Sequence, residues 1–248
     1  SCMADNKIDK KYQKIISDIK EFEKKGKFIG YFDDSCNITK GKERAKYYRI
    51  LHEKNNGIYL ITQHDLDGTL NEIYQATDEY DCWGRDDNLY NRREGKTISF
   101  FQNGTKLREA NYRNGKLEGK GKEYYQKSGN LMREVPYRNG SVEGVVKIYY
   151  EDGTLKAEYP YKNNIFNGLS KIYYDNGNLY AIQNIENGNV EGETISYYKN
   201  GNINIKANFV NNKLNGNISV YNEDGTLSYI APYKNGKPLT EKTINLMG

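Results

Sequence analysis

The most constraining feature of this sequence is a unit of 24 or 25 residues that occurs six times in succession in its last three-fifths. Repetition at a fixed period of this length is typical of repeat architectures, in which each unit packs against its neighbours. The sequence therefore predicts a protein that presents a long surface, and such surfaces usually bind rather than catalyse. Each unit opens with a glycine, and these are Gly95, Gly119, Gly144, Gly168, Gly192 and Gly216.

The pattern inside each unit predicts a β-hairpin. In the unit that opens at Gly144, residues 145–150 and 154–161 are rich in Tyr, Val and other strand formers, and Glu-Asp-Gly separates the two runs. Asp-Gly and Asn-Gly favour two-residue turns, which need positive φ at both central positions, and Asn-Asn is a weaker form of the same signal. The second turn of the units is Asn114-Gly115, Asn139-Gly140, Asn163-Asn164, Asn187-Gly188, Asn211-Asn212 and Asn235-Gly236. A proline cannot donate to a strand ladder, so its recurrence at one position predicts a bulge or an unpaired amide there: Pro136, Pro160 and Pro232.

A pair of aromatic residues recurs near the end of the first strand of the units. Neighbouring residues on a strand point to opposite faces, so we expect the two rings of each pair on opposite faces of one sheet. The predicted fold class is mostly β: an elongated single-layer antiparallel sheet built from tandem β-hairpin repeats. We expect rings of successive units to stack and the opening glycines to leave space for them. The first rings are Tyr124, Tyr149, Tyr173, Tyr197 and Tyr221, and the second rings are Tyr125, Tyr150, Tyr174 and Tyr198.

Residues 173–179, Tyr-Tyr-Asp-Asn-Gly-Asn-Leu, and residues 137–144, Tyr-Arg-Asn-Gly-Ser-Val-Glu-Gly, carry a family resemblance. They resemble the MORN-repeat variant family, which includes bacterial YwqK-type antitoxin-like proteins. The resemblance covers residues 95 to about 240, and Asp-Gly-Thr-Leu at residues 67–70 continues it upstream. It implies an extended β-sheet that scaffolds contacts with proteins or membrane surfaces, without a shared catalytic residue.

The residues before the repeats divide into two segments. Apolar residues at three-to-four spacing predict an amphipathic helix over residues 7–25 that ends at Gly26. Repeat arrays commonly need a terminal cap, so residues 1–26 are interpreted as a tail and capping helix, with partner docking as the alternative. Residues 27–94 are interpreted as degenerate hairpins of the same sheet, residues 95–240 as the six repeats, and residues 241–248 as a tail. The helix stripe consists of Ile8, Tyr12, Ile15, Ile16, Ile19 and Phe22.

One segment resembles the nucleophile strand of haloacid-dehalogenase phosphatases, because an apolar strand precedes Asp65-Leu66-Asp67-Gly68-Thr69. In those enzymes the first Asp attacks phosphorus and the second acts as acid and base beside Mg²⁺. The same Asp-Gly-Thr-Leu occurs inside the repeats at residues 152–155 and 224–227, where it is turn chemistry. The resemblance also requires alternating helices that the chain after residue 70 does not predict. We therefore predict a turn and no catalytic residue.

Metal and cofactor sites are also not predicted. The chain has two histidines, His52 and His64, and three cysteines without close pair spacing. Acidic residues could offer oxygen ligands to Ca²⁺, but no full loop pattern is present. Trp83 is interpreted as local core. The acidic residues concerned are Asp65, Asp67, Asp86 and Asp87.

Composition and repetition together predict a non-enzymatic scaffold that binds a protein partner through a Tyr-rich sheet surface. Tyr is present 24 times, and it offers large contact area at low side-chain entropy cost. The alternative for the same rings is that they only hold the sheet together. The net charge of +4 comes from intermixed Lys and Glu, so nucleic-acid binding is not predicted. Two further hypotheses are an antitoxin or immunity protein that binds a cognate toxin, and association with anionic membrane surfaces through Lys and Tyr.

The three cysteines give two alternatives for the cellular compartment of the protein. Ser1-Cys2 suits the end of a bacterial lipobox, and a lipid on Cys2 would leave Cys36 and Cys82 as a pair able to form a disulfide. The alternative is an N-terminal remnant before Met3 and three free thiols in the cytosol. Of the two we favour an exported protein of the cell envelope, and the oligomeric state is left open.

Overall fold

The structure, a computed structural model, describes residues 2–78, 92–239 and 244–245 of the chain. It is mostly β, and the strand pairs that it describes are antiparallel, so the predicted fold class is confirmed. The chain divides into two compact units, Ser1–Gly129 and Asn130–Gly248. The boundaries predicted at residues 26, 94 and 240 divide the sequence by pattern and stay predictions.

The first unit begins with two helices, α1 (Cys2–Ser17) and α2 (Ile19–Lys25), and contains a 3-10 turn at Lys42–Arg44. The single helix predicted for residues 7–25 is thus broken at Asp18, which has a non-helical φ of −116° and ψ of 30°. The strands of this unit are β1 (Lys27–Phe32), β2 (Ile38–Thr39), β3 (Tyr47–Asn55), β4 (Ile58–Asp65), β5 (Leu70–Ala76), β6 (Arg93–Phe100), β7 (Lys106–Arg113), β8 (Lys116–Leu117) and β9 (Gly119–Tyr124).

The strands from β3 to β7 pair with their neighbours in chain order. β1 lies between β2 and β3, while β8 and β9 both pair with β7. A two-residue turn at Asn56-Gly57 joins β3 to β4, and both residues have positive φ, 48° and 78°. This is the hairpin geometry that the Asn-Gly pair favours.

The helices lie on one face of the strands β4 to β6. The hydroxyl of Tyr12 donates a hydrogen bond of 2.7 Å to the carbonyl of Lys96. A helix that covers a face buries apolar area but leaves the backbone groups of an edge strand exposed, so its packing differs from the predicted edge cap. The side chains buried together are Tyr12, Ile15, Leu60, Ile73 and Ile98, with Ile16, Ile19, Phe22, Leu70 and Phe100 packed around them.

The opposite face of the same strands is also buried. Ile61, Tyr74 and Ala76 have exposed fractions of 0% and form a second cluster. The guanidinium carbon of Arg93 lies 3.6 Å from the centre of the Tyr74 ring, and that of Arg49 lies 5.6 Å from it. The run of apolar residues in β4 is therefore typical of a strand that is covered on both faces.

The second unit contains the later repeats. Its strands are β10 (Leu131–Arg138), β11 (Ser141–Val142), β12 (Gly144–Tyr149), β13 (Leu155–Lys162), β14 (Ile165–Phe166), β15 (Gly168–Tyr173), β16 (Leu179–Glu186), β17 (Asn189–Tyr197), β18 (Ile203–Val210), β19 (Lys213–Leu214), β20 (Gly216–Tyr221), β21 (Leu227–Lys234), β22 (Lys237–Pro238) and β23 (Ile244–Asn245). The long strands pair in chain order. Each short strand that precedes a long one pairs with the strand before it, as β11 does with β10.

A bulge separates each short strand from the long strand that follows. At the first of these, the amide of Glu143 donates a 3.0 Å hydrogen bond to the carbonyl of Pro136, and Gly144 has a φ of +119°. A Cβ on Gly144 would lie 3.2 Å from the Pro136 ring, and one on Gly168 would lie 2.9 Å from Pro160. The opening glycines thus provide a left-handed backbone beside a proline, and the expectation that they make room for aromatic rings is wrong at these positions.

The two turns of each repeat differ in type. At the second turn, Asn139 and Gly140 both have positive φ, as a two-residue turn requires. At the first turn, Gly153 has a φ of +92° while Asp152 lies outside the positive region, and the amide of Gly153 donates to the carbonyl of Tyr150. The first turn is therefore a three-residue loop with a glycine bulge, and it lies at the Glu-Asp-Gly turn predicted for this unit.

Consecutive repeats of the second unit are joined through their second turns. The amide of Asn163 donates 2.7 Å to the carboxylate of Glu143, and the amide of Asn164 donates 3.0 Å to the carbonyl of Val142. The side-chain oxygen of Asn164 in turn accepts from the Val142 amide at 2.7 Å. These bonds hold the repeats in register and fix the places of the rings described next.

Candidate binding surface

The first rings lie at the last residue of their strands and are half-buried. The hydroxyl of Tyr173 donates a 2.8 Å hydrogen bond to the Glu158 carboxylate, and Tyr124 donates to Glu109 at 3.1 Å. Burial, and then the bond to the Glu158 carboxylate, raises the pKa of Tyr173 to about 12. The ring and the carboxylate stand on adjacent strands and are hydrogen-bonded, so they lie on the same face of the sheet. We call this face, which bears the first rings Tyr124, Tyr149, Tyr173, Tyr197 and Tyr221, the first-ring face.

Two first rings lack this carboxylate. In the register of the strands, Glu158 lies opposite Lys171, and the same place is taken by Ile182 and then by Lys206 in the next repeats. Neither an isoleucine nor a lysine side chain can accept a hydrogen bond. The hydroxyls of Tyr197 and Tyr221 are therefore without the acceptor that holds Tyr173.

The second rings lie beyond the ends of the strands, at the start of the first turn. Their hydroxyls reach the next repeat: Tyr150 donates to the carbonyl of Tyr173, Tyr174 to that of Tyr197, and Tyr198 to that of Tyr221, each at 2.8 Å. Side chains alternate between the two faces of a sheet only within a strand. Because the second rings lie in a turn, strand alternation does not determine which face they occupy. The contact between repeats that the structure shows here is hydroxyl to carbonyl, where ring stacking was expected. The second rings thus help to hold the repeats together.

The first-ring face also carries residues that the sequence prediction did not include. Val145 and Leu169 follow two of the opening glycines and have exposed fractions of 43% and 50%. Lys147 and Lys171 lie two residues further along the same strands, on the same face. Neither lysine forms an ion pair within the described part of the chain. The signal that could have found these four residues is their fixed distance from the glycine.

The segment that resembles a phosphatase motif forms a repeat-type turn. The Asp67 carboxylate accepts from the Thr69 amide at 2.8 Å, as the Asp152 carboxylate accepts from Thr154. These backbone bonds lower the pKa of Asp67 and that of Asp152. Asp65 accepts from the Asn71 side-chain amide at 2.7 Å. The turn predicted for these residues is confirmed by this geometry.

The two histidines lie close to one threonine. His52 Nε2 is 2.6 Å and His64 Nε2 is 2.8 Å from the Thr62 hydroxyl. His64 Nδ1 lies 3.1 Å from the Glu23 carboxylate, which also accepts from the Tyr48 hydroxyl. Burial lowers the pKa of His52 to about 4 and also lowers that of His64. The cluster fastens α2 to the sheet.

The remaining candidates are reported by position. Cys36 is disulfide-bonded, and its expected partner, Cys82, lies outside the described residues, as do Trp83, Asp86 and Asp87. Within the described ranges, no group of three His, Cys, Asp or Glu side chains is placed to hold a metal ion. In the same ranges, neither helix has the length and apolar character needed to cross a bilayer.

Comparison with known proteins identifies the repeats. The model of the MORN repeat variant matches five segments of the chain, residues 93–114, 142–163, 166–189, 190–211 and 214–235. Each match begins close to a short strand or an opening glycine, so the matched unit and the structural repeat coincide. MORN repeats are generally non-catalytic modules that often bind membranes or proteins. A search of curated proteins gives no match to this chain.

Proposed function

We propose that this chain, which belongs to the MORN-repeat variant family, is a non-enzymatic scaffold that binds a protein partner through its first-ring face. The observation that carries this proposal is the row of half-buried tyrosines at one place in successive repeats of the second unit, with exposed aliphatic residues beside them. Surfaces rich in Tyr offer large amphipathic contact area at low entropic cost.

The difference between the two sets of rings supports the choice of face. The second rings donate their hydroxyls to backbone carbonyls of the next repeat, so the hydroxyl donors of these rings are already hydrogen-bonded within the sheet. Among the first rings, Tyr197 and Tyr221 have no carboxylate opposite them. A hydroxyl that is not engaged in the sheet is available to a partner.

The experiment that tests the proposal places a photo-crosslinking residue, p-benzoylphenylalanine, at position 197 or 221 of the full chain. Irradiation in an extract of the native source should give an adduct of one defined mass from both positions. The matched control carries the same residue at Tyr229, which is 38% exposed and lies on the opposite face, because its cross-strand partner Val220 alternates with Tyr221.

The adduct partner is then purified and titrated against the unmodified chain. A stoichiometric complex that Tyr197→Ala weakens without a lower melting temperature supports the proposal. Equal adducts from the control position, or equal loss of affinity and melting temperature, would show that the rings only hold the sheet together. An adduct with lipid alone would favour a membrane surface instead.

We further propose that the protein works in an oxidising compartment. The disulfide-bonded state of Cys36 supports this, because structural disulfides persist mainly outside the cytosol. Mass spectrometry of the protein from its native source, digested without reduction, tests it. A cross-linked peptide containing Cys36 is the expected result, and a free Cys36 thiol would overturn it.

A further inference from the structure

The helices of the first unit rest on the face that bears a first ring. Ile98 of β6 is buried against α1, and Phe100 packs against the same cluster. Phe100 stands five residues after Gly95, which is the place that the first rings take after their glycines. Ile98 and Phe100 alternate along one strand and therefore share a face. Lys96, two residues before Ile98, accepts the hydroxyl of Tyr12 at its carbonyl and forms an ion pair with Asp9. In this repeat, an amphipathic helix covers the first-ring face.

The same places in two repeats of the second unit are open to solvent. Val145 and Leu169, with exposed fractions of 43% and 50%, take the place of Lys96 one residue after the opening glycine. Val145 lies opposite Pro160 in the strand register, and Pro160 lies against Gly168, next to Leu169. The apolar surface thus runs across three strands without an intervening polar side chain at these positions. The residues at the places of Ile98 and Phe100 are Lys147 and Lys171, and Tyr149 and Tyr173.

We propose that the first-ring face of the second unit binds an amphipathic helix of the protein partner. The helix presents a stripe of aromatic and isoleucine side chains to the surface formed by Val145, Leu169 and the tyrosines. Acidic residues flank the stripe and meet Lys147 and Lys171. This inference rests on the proposed function, because it names the kind of partner that the first-ring face takes.

Charge supports an acidic helix. Lys147 and Lys171 form no ion pair in the described part of the chain, and Glu158, which lies opposite Lys147, accepts the hydroxyl of Tyr173. In the first unit, the helix is held at this kind of surface by an ion pair between Asp9 and a sheet lysine, beside its apolar contacts. Complementary charges of this type set the orientation and raise the rate of association more than they add affinity.

The probe for the experiment is a fluorescein-labelled peptide with the sequence of residues 7–25 in which every Lys is replaced by Gln, so that its stripe is kept and its net charge is acidic. It is titrated against the full chain by fluorescence anisotropy. We expect saturable binding that the double variant Leu169→Asn/Lys171→Glu weakens about tenfold or more, the effect of losing one well-placed anchor. The matched control is Tyr229→Asn on the opposite face, which should leave the affinity within about twofold. Urea unfolding of both variants checks that the sheet is intact.

The unsubstituted peptide, in which seven Lys outnumber four Asp and Glu, should bind about tenfold more weakly to the native chain if Lys147 and Lys171 receive acidic residues. Absence of binding by the acidic peptide, or binding that the double variant leaves unchanged, overturns the inference. Anionic vesicles of phosphatidylserine that bind through the same residues while the peptide does not would overturn it in favour of lipid. If the photo-crosslinked partner binds the double variant normally but not Tyr197→Ala, the proposed function stands and the helix assignment fails.

Discussion

The first rings occupy one place in the repeat, but their hydroxyls have different partners. Tyr173 donates to Glu158, whereas Ile182 takes the place of that carboxylate for Tyr197. Tyr173→Phe should lower the free energy of unfolding by about 1 kcal/mol, because Glu158 then loses a hydrogen bond at a partly buried site. Tyr197→Phe should change it by less than about 0.5 kcal/mol. Urea unfolding followed by circular dichroism measures both.

A double-mutant cycle with Glu158→Leu, which removes the acceptor, provides the control for this pair. If the hydroxyl acts through Glu158, the effects of Tyr173→Phe and Glu158→Leu should be less than additive. Equal losses for Tyr173→Phe and Tyr197→Phe would instead mean that the hydroxyls contribute by a common route that does not involve the carboxylate.

Asn164 is a turn residue at which glycine should be the poorer choice. Its φ is +66°, which glycine adopts without strain, but its side chain accepts from the Val142 amide at 2.7 Å and donates to the Ser141 hydroxyl at 3.2 Å. Asn164→Gly should therefore destabilise the chain by about 1 kcal/mol, because two links to the preceding repeat are lost. A melting temperature raised by this substitution would contradict the prediction, and Asn164→Asp, which keeps only the acceptor, should fall between the two.

At the scale of elements, the sequence predicted what depends on local spacing and left open what depends on packing. The second-turn residues Asn139 and Gly140 carry the requirement for positive φ in their own chemistry, and the turn formed as predicted. The stripe that contains Tyr12 and Ile15 predicts a helix, but such a stripe could pack against an edge of the sheet, a face of the sheet or a partner protein. The burial of Ile98 beneath the helix shows that the helix packs on a face of the sheet.

The cluster that fastens α2 to the sheet should make stability depend on pH. Burial lowers the pKa of His52 to about 4 and lowers that of His64, although Glu23 and Asp65 oppose the second shift. The unfolded chain binds more protons than the folded chain between the unperturbed pKa of about 6.5 and the folded values, so the free energy of unfolding falls as pH falls through this window. The loss is on the order of 1–2 kcal/mol, since one pKa unit corresponds to about 1.4 kcal/mol and His52 keeps some solvent exposure.

The measurement is a series of urea unfolding curves between about pH 7 and pH 4, a range that runs from the unperturbed histidine pKa to the folded pKa of His52, about 4. His52→Gln is the control, because the amide can still bond to the Thr62 hydroxyl but does not titrate. The variant should lose part of the decline with falling pH. A decline as steep as that of the native chain would assign the effect to other groups.

At the scale of the whole molecule, repetition made the positions of the rings predictable. The register of the strands determines which residues contact those rings and which side chains are exposed. Fixed spacing from the opening glycine locates Tyr149 and Tyr173 without any structure. The spacing does not show that Glu158 lies beside Tyr173, because that contact depends on which strands pair and on the bulge at Gly168. The exposure of Leu169 likewise follows from the register, since a shift of one residue would turn it to the other face.

The array should tolerate loss of one whole repeat within the second unit. Deletion of residues 168–191 joins Asn167 directly to Gly192, so a residue with a side-chain acceptor again precedes an opening glycine, as Glu191 does when it accepts from the Asn211 amide at 2.8 Å. The shortened chain should fold with a lower unfolding midpoint, because stability in repeat arrays is roughly a sum over repeats and their interfaces. The control removes residues 168–179, which ends the deletion inside a hairpin, mismatches the strands and should prevent folding of this unit. Circular dichroism and urea unfolding distinguish the two, and equal disruption by both deletions would mean that the repeats do not act as interchangeable units.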